Sequence, residues 1–207
     1  MVETTGDQRL AKGARSRAAI ARHAADVASV EGLNGVSIGR LAIDLGISKS
    51  GIATLFKTKE ALQLAAVGAG RQVFLDRVVT PSLREPRGLP RLRALIDRWL
   101  TYITEPPFPG GCFRTAVLAE FESRPGAVRD AVAADHDDWL RFLAGEIGKA
   151  QEGGAWSGRD AVEFAFELDA VVGAANTAHQ LGDEARVALA RRLVDRLLTP
   201  SGDAGGR

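Results

Sequence analysis

A chain of 207 residues, 45% apolar and 26% charged, is long enough to fold as one domain, or as a small module joined to a larger one, around a sizeable core. A single cysteine, Cys112, excludes a disulfide framework and an all-cysteine zinc site, and the longest uncharged stretch, residues 170–182, is shorter than the ~18 residues of a membrane-spanning helix. The net charge of +1 hides a basic segment: nine Lys and Arg face three acids between Arg9 and Lys59, whereas residues 60–207 carry a net −3, so the N-terminal third is either a polyanion-binding surface or a solvated basic face.

Helical periodicity runs through almost the whole chain, and no six-residue window alternates cleanly. An all-α fold of about nine helices is therefore expected. Residues 1–14 read as a flexible arm. Over residues 15–31, Ile20, Ala24, Val27 and Ala28 form one apolar face, and Gly32 with Asn34-Gly35 stops the helix. Ser37 is placed to cap a short helix carrying Ile38, Leu41, Ala42 and Leu45, which Gly46 ends. Ser48 is placed to cap a third helix that turns Ile52 and Phe56 inward. A fourth runs from near Lys59 to about Thr80, limited by Pro81. Beyond it, residues 89–104 carry Leu92, Leu95, Ile96 and Leu100 on one face, and EPPFPGG (105–111) breaks the pattern. Residues 112–122 form a short apolar helix, and Pro125 opens a long one reaching about Ala150. A loop over 151–157, helices over 158–181 and 183–198 joined at Gly182, and a disordered tail over 199–207 complete the expectation.

The segment VSIGRLAIDLGISKSGIATLFKTKE (36–60) carries the most chemistry. Two short helices around Leu45-Gly46-Ile47-Ser48 have helix-turn-helix spacing, with Ile47 expected to fill the angle between them; an ordinary helical hairpin is the alternative. With Ile52 at the buried centre, 100° per residue turns Ser50, Ala53, Thr54 and Lys57 outward, and Lys49 flanks the first turn, where a recognition helix approaches base edges. Lysine can donate to guanine, serine to several bases, and an alanine methyl can touch a thymine methyl. Ser37, at the start of its helix, offers a hydroxyl and backbone amides to a phosphate oxygen. Plain capping is the alternative for both Ser37 and Ser48.

The stretch LGISKSGIATLFKTKEALQLA resembles the DNA-binding module of the TetR/AcrR family of bacterial transcriptional regulators, a likeness covering residues 15–67. FPGGC (108–112) and EFESRPGAVRD (120–130) further resemble one actinobacterial-type subgroup. The resemblance implies a three-helix DNA-binding domain over residues 15–60 and a helical ligand-binding and dimerisation domain over 61–198. It implies that Lys49, Ser50, Gly51, Ala53 and Leu55 face the major groove and that Lys59 clamps a phosphate. The sequence departs from the family where an aromatic commonly stands at Ala53, a histidine often at Leu55, and Thr or Gly near Ser50-Gly51. Gly51 weakens the short helix by roughly 1 kcal/mol relative to Ala, which throws weight on Lys57, Arg9, Lys12 and Arg15.

The same resemblance implies an effector cavity in the C-terminal helices. By position its walls are Trp99, Tyr102, Phe113, Val117, Phe121, Trp139, Phe142, Phe166 and Asn176, with Arg98, Glu120, His136 and His179 as polar anchors; ordinary core packing is the alternative. It also implies a homodimer through a four-helix bundle of the last two helices, rich in small residues. Such a pair sets two recognition helices roughly 34–36 Å apart on a palindromic operator of double-stranded DNA. Intramolecular packing of those helices is the alternative.

Catalysis finds no foothold. GxSxG, HExxH, P-loop and GxGxxG patterns are absent, His23, His136 and His179 show no metal spacing, Asp135–Asp138 fan out around a helix, and Cys112 lacks an adjacent base. No cofactor and no metal are expected. The first residues hold no signal-peptide pattern, so a cytoplasmic protein without a membrane partner is expected. The sequence thus points to a repressor released from its operator by a small, largely apolar effector. A helical ligand-binding or interaction protein that has lost DNA recognition is the alternative, kept open by Gly51, Ala53 and Leu55.

Overall fold

The computed structural model describes residues 5–200, and side chains from residue 8 onward except that of Arg9. Among the described residues there are nine helices and no strand. They are α1 (Thr5–Gly35), α2 (Ile38–Leu45), α3 (Lys49–Leu55) and α4, which starts as Lys59–Phe74 and continues through a wide π turn, Leu75–Val79, into Thr80–Ser82. The remaining five are α5 (Leu89–Thr104), α6 (Phe113–Phe121), α7 (Ala127–Glu152), α8 (Ala161–Gln180) and α9 (Glu184–Leu197). No helix among the described residues is long and apolar enough to cross a membrane.

The backbone groups into two compact units. One takes the described residues up to Gln72 together with Phe108–Ala133; the other takes Val73–Pro107 together with the described residues from Ala134 onward. The start of α4 and all of α6 fold with the N-terminal helices.

In the first unit the apolar stripes expected from periodicity are the buried ones: Ile20, Ala24 and Ala28 of α1, Leu41 of α2, Ile52 of α3, and Phe56 just after it. Close backbone approach fixes how the 108–121 segment joins them. A Cβ on Gly110 would lie 1.9 Å from the Ser29 carbonyl oxygen, and the Gly110 N–H donates to Ser29 Oγ at 3.0 Å. A Cβ on Gly70 of α4 would meet the Phe113 ring at 2.2 Å, so this ring of α6 packs directly on the α4 backbone.

The second unit is built on α5, which buries Leu92, Leu95, Ile96, Trp99, Tyr102 and Ile103. Its entry is fixed by the buried Glu146 carboxylate, which accepts from Gly88 N at 2.9 Å, Arg87 Nε at 3.0 Å and Arg91 Nη1 at 3.3 Å. A buried carboxylate surrounded by donors in this way is compensated instead of being left a bare charge. In the α8–α9 hairpin, Phe164, Leu168, Val172 and Ala175 are buried along α8 and Val187, Ala190 and Val194 along α9.

Several local expectations need correction. Residues 5–14, expected as an arm, are the first turns of α1, while residues 1–4 and the side chain of Arg9 lie outside the described residues. Pro81 does not end α4: the Thr80 N–H reaches back five residues to Leu75 O, and a turn this wide relieves the clash of the proline ring with the carbonyl four residues before it. The long helix α7 starts at Ala127 instead of Pro125, after Gly126 at φ 139°. Asp160, not Gly158, opens α8, accepting from Val162 N at 2.8 Å and Glu163 N at 2.9 Å. Ile47 does not fill the angle between α2 and α3, being 41% exposed. Of the tail, Thr199 and Pro200 are described, and residues 201–207 lie outside the described residues.

Candidate functional site

Helix α3 is only seven residues long and is held at both ends. Ser48 Oγ accepts from Gly51 N at 3.1 Å, capping the first turn. At the other end the Arg17 guanidinium of α1 donates to the Leu55 carbonyl and stacks over the Phe56 ring, 4.2 Å from its centroid. A cation there complements the negative end of the helix dipole and satisfies one orphan carbonyl. Ile52 and Phe56 anchor the inner face, leaving Lys49, Ser50, Gly51, Ala53 and Thr54 exposed and Leu55 half-buried. Beyond the helix, Lys57 and Lys59 are both exposed. Two side chains on the outer face already hydrogen-bond locally, Ser50 Oγ donating to Ser48 Oγ at 3.2 Å and Thr54 Oγ1 to the Ser50 carbonyl at 2.8 Å. Lys49 folds against α2, where a Cβ on Gly39 would lie 3.7 Å from its Cε.

Ser37 caps α2, accepting from Arg40 N at 3.2 Å, and remains exposed. Gly46, at φ 64°, makes the left-handed turn between α2 and α3 that a side chain would resist. Arg40 gives little free charge to this surface: its Nε lies 2.8 Å from Asp44 Oδ2 and its Nη1 3.2 Å from Glu31. The Asp44 carboxyl is held below the ordinary aspartate range, first by its hydrogen bond with His23 (3.1 Å) and then by Arg40. The Arg40 guanidinium is pushed up in turn by Asp44 and then Glu31. Asp44 is therefore matched locally, and the lysines around α3 supply the outward positive charge.

The expected effector residues are divided between the two units. Trp99, Tyr102 and Trp139 pack edge-on around Phe74, at centroid distances of 6.1, 5.5 and 4.9 Å, and Phe142 lies 6.2 Å from Trp139. Phe113, Val117 and Phe121 are buried in the first unit, where Phe113 stacks 5.6 Å from Phe108. Asn176 is buried on α8. Phe166 is 65% exposed on α8, so it belongs to an outer face instead of a cavity wall. Phe74 was missed, although Leu62, Ala66, Gly70 and Phe74 recur every four residues and so share a stripe of α4.

The polar anchors have different neighbours. Arg98 lines an open groove of about 290 Å³ with Asp76, Arg77, Thr101, Tyr102 and Glu105. His136 faces Asp169 at 3.6 Å and His179 faces Glu184 at 3.4 Å. Glu120 is spent on the end of α1: it accepts from Leu33 N at 2.6 Å, Asn34 N at 3.0 Å and Asn34 Nδ2 at 2.6 Å. Its part in the turn after Gly32 had no signal in the local sequence pattern, since the partners are 86 and 87 residues apart.

The α8–α9 hairpin presents a second face. Val162, Phe166, Ala170, Ala174, Thr177 and Leu181 are exposed along α8 at near-helical spacing, and Phe166, Ala170, Val171, Leu193 and Leu197 line an open groove of about 490 Å³. Small and apolar residues of these helices thus divide, one set packed within the hairpin and the other turned outward.

Residues 88–194 match the family model described as the tetracyclin repressor-like C-terminal domain. No curated protein sequence matches the chain. Among solved structures, a TetR-family transcriptional regulator from Cytophaga hutchinsonii superposes with a TM-score of 0.75 at 24% identity, over 90% of this chain and 94% of that one. A TetR transcriptional regulator from Chloroflexus aurantiacus gives a TM-score of 0.74 at 23% identity, over 88% and 96%. AibR, solved with isovaleryl coenzyme A and operator DNA, gives 0.69 at 22% identity, over 89% and 100%.

Proposed function

Because the chain belongs to the TetR family of transcriptional regulators, whose tetracyclin repressor-like C-terminal domain it carries over residues 88–194, we propose that it is a cytoplasmic repressor. In this reading residues 15–60 read a palindromic operator, and residues 61–198 bind a small, largely apolar effector and pair two copies through α8 and α9. The observation that carries it is α3: a short helix, capped at one end and stacked by Arg17 at the other, that exposes small side chains flanked by Lys49, Lys57 and Lys59. AibR, whose fold this chain shares, is bound to both an acyl coenzyme A and operator DNA, which supports a fold serving both partners.

The roles divide by chemistry. Lys49, Ser50, Gly51, Ala53, Thr54 and Leu55 face base edges, whereas Ser37, Lys57 and Lys59 face phosphates. The aromatic residues Trp99, Tyr102, Trp139 and Phe142, with Phe74, offer an effector its apolar contacts, and Asn176 a polar one. An effector releases the operator only by preferring the conformation that fits DNA less well, since equal affinity for both shifts nothing.

Selection of genomic fragments by the purified protein identifies the operator, and salt-titrated binding then tests the roles. Lys59→Ala is expected to weaken all sequences nearly uniformly and reduce the log–log salt slope by about 0.9, whereas Lys49→Ala changes base preference by ~1–3 kcal/mol at one position. If both variants lose affinity equally on all sequences, the division of roles fails. A dimer that selects no sequence even at low salt would favour a ligand-binding protein without an operator.

A further inference from the structure

The edge that carries Lys59 is tied to α6 by a carboxylate to which the proposed function gives no part. Gly32 turns out of α1 at φ 76°, and a Cβ there would lie 2.7 Å from Glu120 Oε2, so the carboxylate and the glycine fit one another. On one side of the turn Glu120 accepts three N–H bonds, from Leu33 N, Asn34 N and Asn34 Nδ2. On the other, Gln63 Nε2 donates to the Leu33 carbonyl at 3.0 Å and Lys59 Nζ to the Asn34 carbonyl at 2.6 Å. The Leu33–Asn34 peptide is thus gripped at its N–H by Glu120 and at its oxygen by Gln63. Hydrogen bonds in series polarise one another and strengthen. Asn34 is held at its amides by Glu120, and its carbonyl holds Lys59.

We infer that Glu120 is a positioning residue for DNA binding: it fixes the Leu33–Asn34 turn so that the Asn34 carbonyl holds the Lys59 ammonium in place for a phosphate. The inference rests on the DNA-binding function proposed above. An ammonium has three protons, and one spent on Asn34 leaves two for a phosphate oxygen. A free lysine side chain must give up its rotamer freedom when it binds, whereas one already tethered has less to lose. Charge alone argues the opposite outcome, because removing a carboxylate close to a phosphate-binding edge should tighten DNA binding. The sign of the effect therefore separates positioning from electrostatics.

Affinity for the selected operator and for unrelated duplexes, across a range of salt, is to be measured for the wild type, Glu120→Gln, Lys59→Ala and the double variant. Glutamine keeps the shape but turns a donor toward the N–H groups. Glu120→Gln is expected to weaken binding roughly three- to tenfold, equally on every sequence. It should flatten the salt slope toward that of Lys59→Ala and cost nothing further in the Lys59→Ala background. Unchanged or tightened binding overturns the inference, as do losses that multiply in the double variant. If Glu120→Gln fails to fold, Asn34→Ala, which removes one of the three bonds, is expected to give a smaller loss that again requires Lys59; a loss independent of Lys59 overturns it. Wild-type protein that binds no duplex at low salt overturns the DNA-binding function and this inference together, whereas wild-type binding with an indifferent Glu120→Gln overturns the positioning role alone.

Discussion

Asp44 sits among bases and contributes through them. Its hydrogen bond with His23 and its pairing with Arg40 hold the carboxyl below its ordinary range. A group whose folded pKa is depressed adds stability above its unfolded pKa, and that stability is lost as the pH falls through the folded pKa. Asp44→Asn is accordingly expected to lower stability slightly at neutral pH, as befits an exposed pair. The gap from wild type should close as acid protonates Asp44, which urea titrations of both proteins from pH 7 down to the acid limit would track. A gap that stays constant with pH would mean that Asp44 acts through something other than its charge. Residue-scale pairings of this sort were beyond the sequence pattern, since His23 and Asp44 are 21 residues apart and nothing local links them.

At the scale of elements, α3 depends on its ends. Seven residues form too few internal hydrogen bonds to offset nucleation, and Gly51 weakens the helix further. Ser48→Ala removes the cap to Gly51 N and is expected to cost ~1 kcal/mol, checked by thermal unfolding. It should also speed amide exchange within residues 49–55 before that of α1, because the loss falls on one short helix. Helices were well legible from sequence where a stripe met a strong stop: Gly46, Gly182 and the Ser37 and Ser48 caps all lie where the pattern puts them. Boundaries went astray where tertiary or backbone geometry decided, as at Pro81, carried through by a π turn, and at Asp160, whose cap outcompeted the glycine before it. Of the candidate site, the outward set on α3 came from one buried isoleucine and the helical period. The division of the effector candidates between two packing units was hidden, because a stripe marks what is buried without saying against what.

At the scale of the whole molecule, pairing decides whether two α3 helices act together. Phe166 and Val162 are large apolar groups exposed on the outward face of α8, at 65% and 70%. Burying a phenylalanine stabilises by about 1.5–3 kcal/mol, and in a two-fold interface each contact occurs twice. Phe166→Glu is expected to shift the protein toward monomer by sedimentation equilibrium while leaving each chain folded, with operator affinity falling in step. A dimer of undiminished strength would place the pairing surface elsewhere.

The wide turn over Leu75–Val79 has a consequence for how this chain tolerates change. A π turn behaves as one residue inserted into an α-helix, and each residue rotates the remainder of the rod by about 100°. Deleting a single residue there would let ordinary winding resume with Pro81 and Ser82 still on their present side, whereas regular winding without a deletion would swing them by about 100°. The segment is thus a phase adjuster: it lets the two ends of one long helix face the partners each requires, although their stripes fall out of step in the sequence.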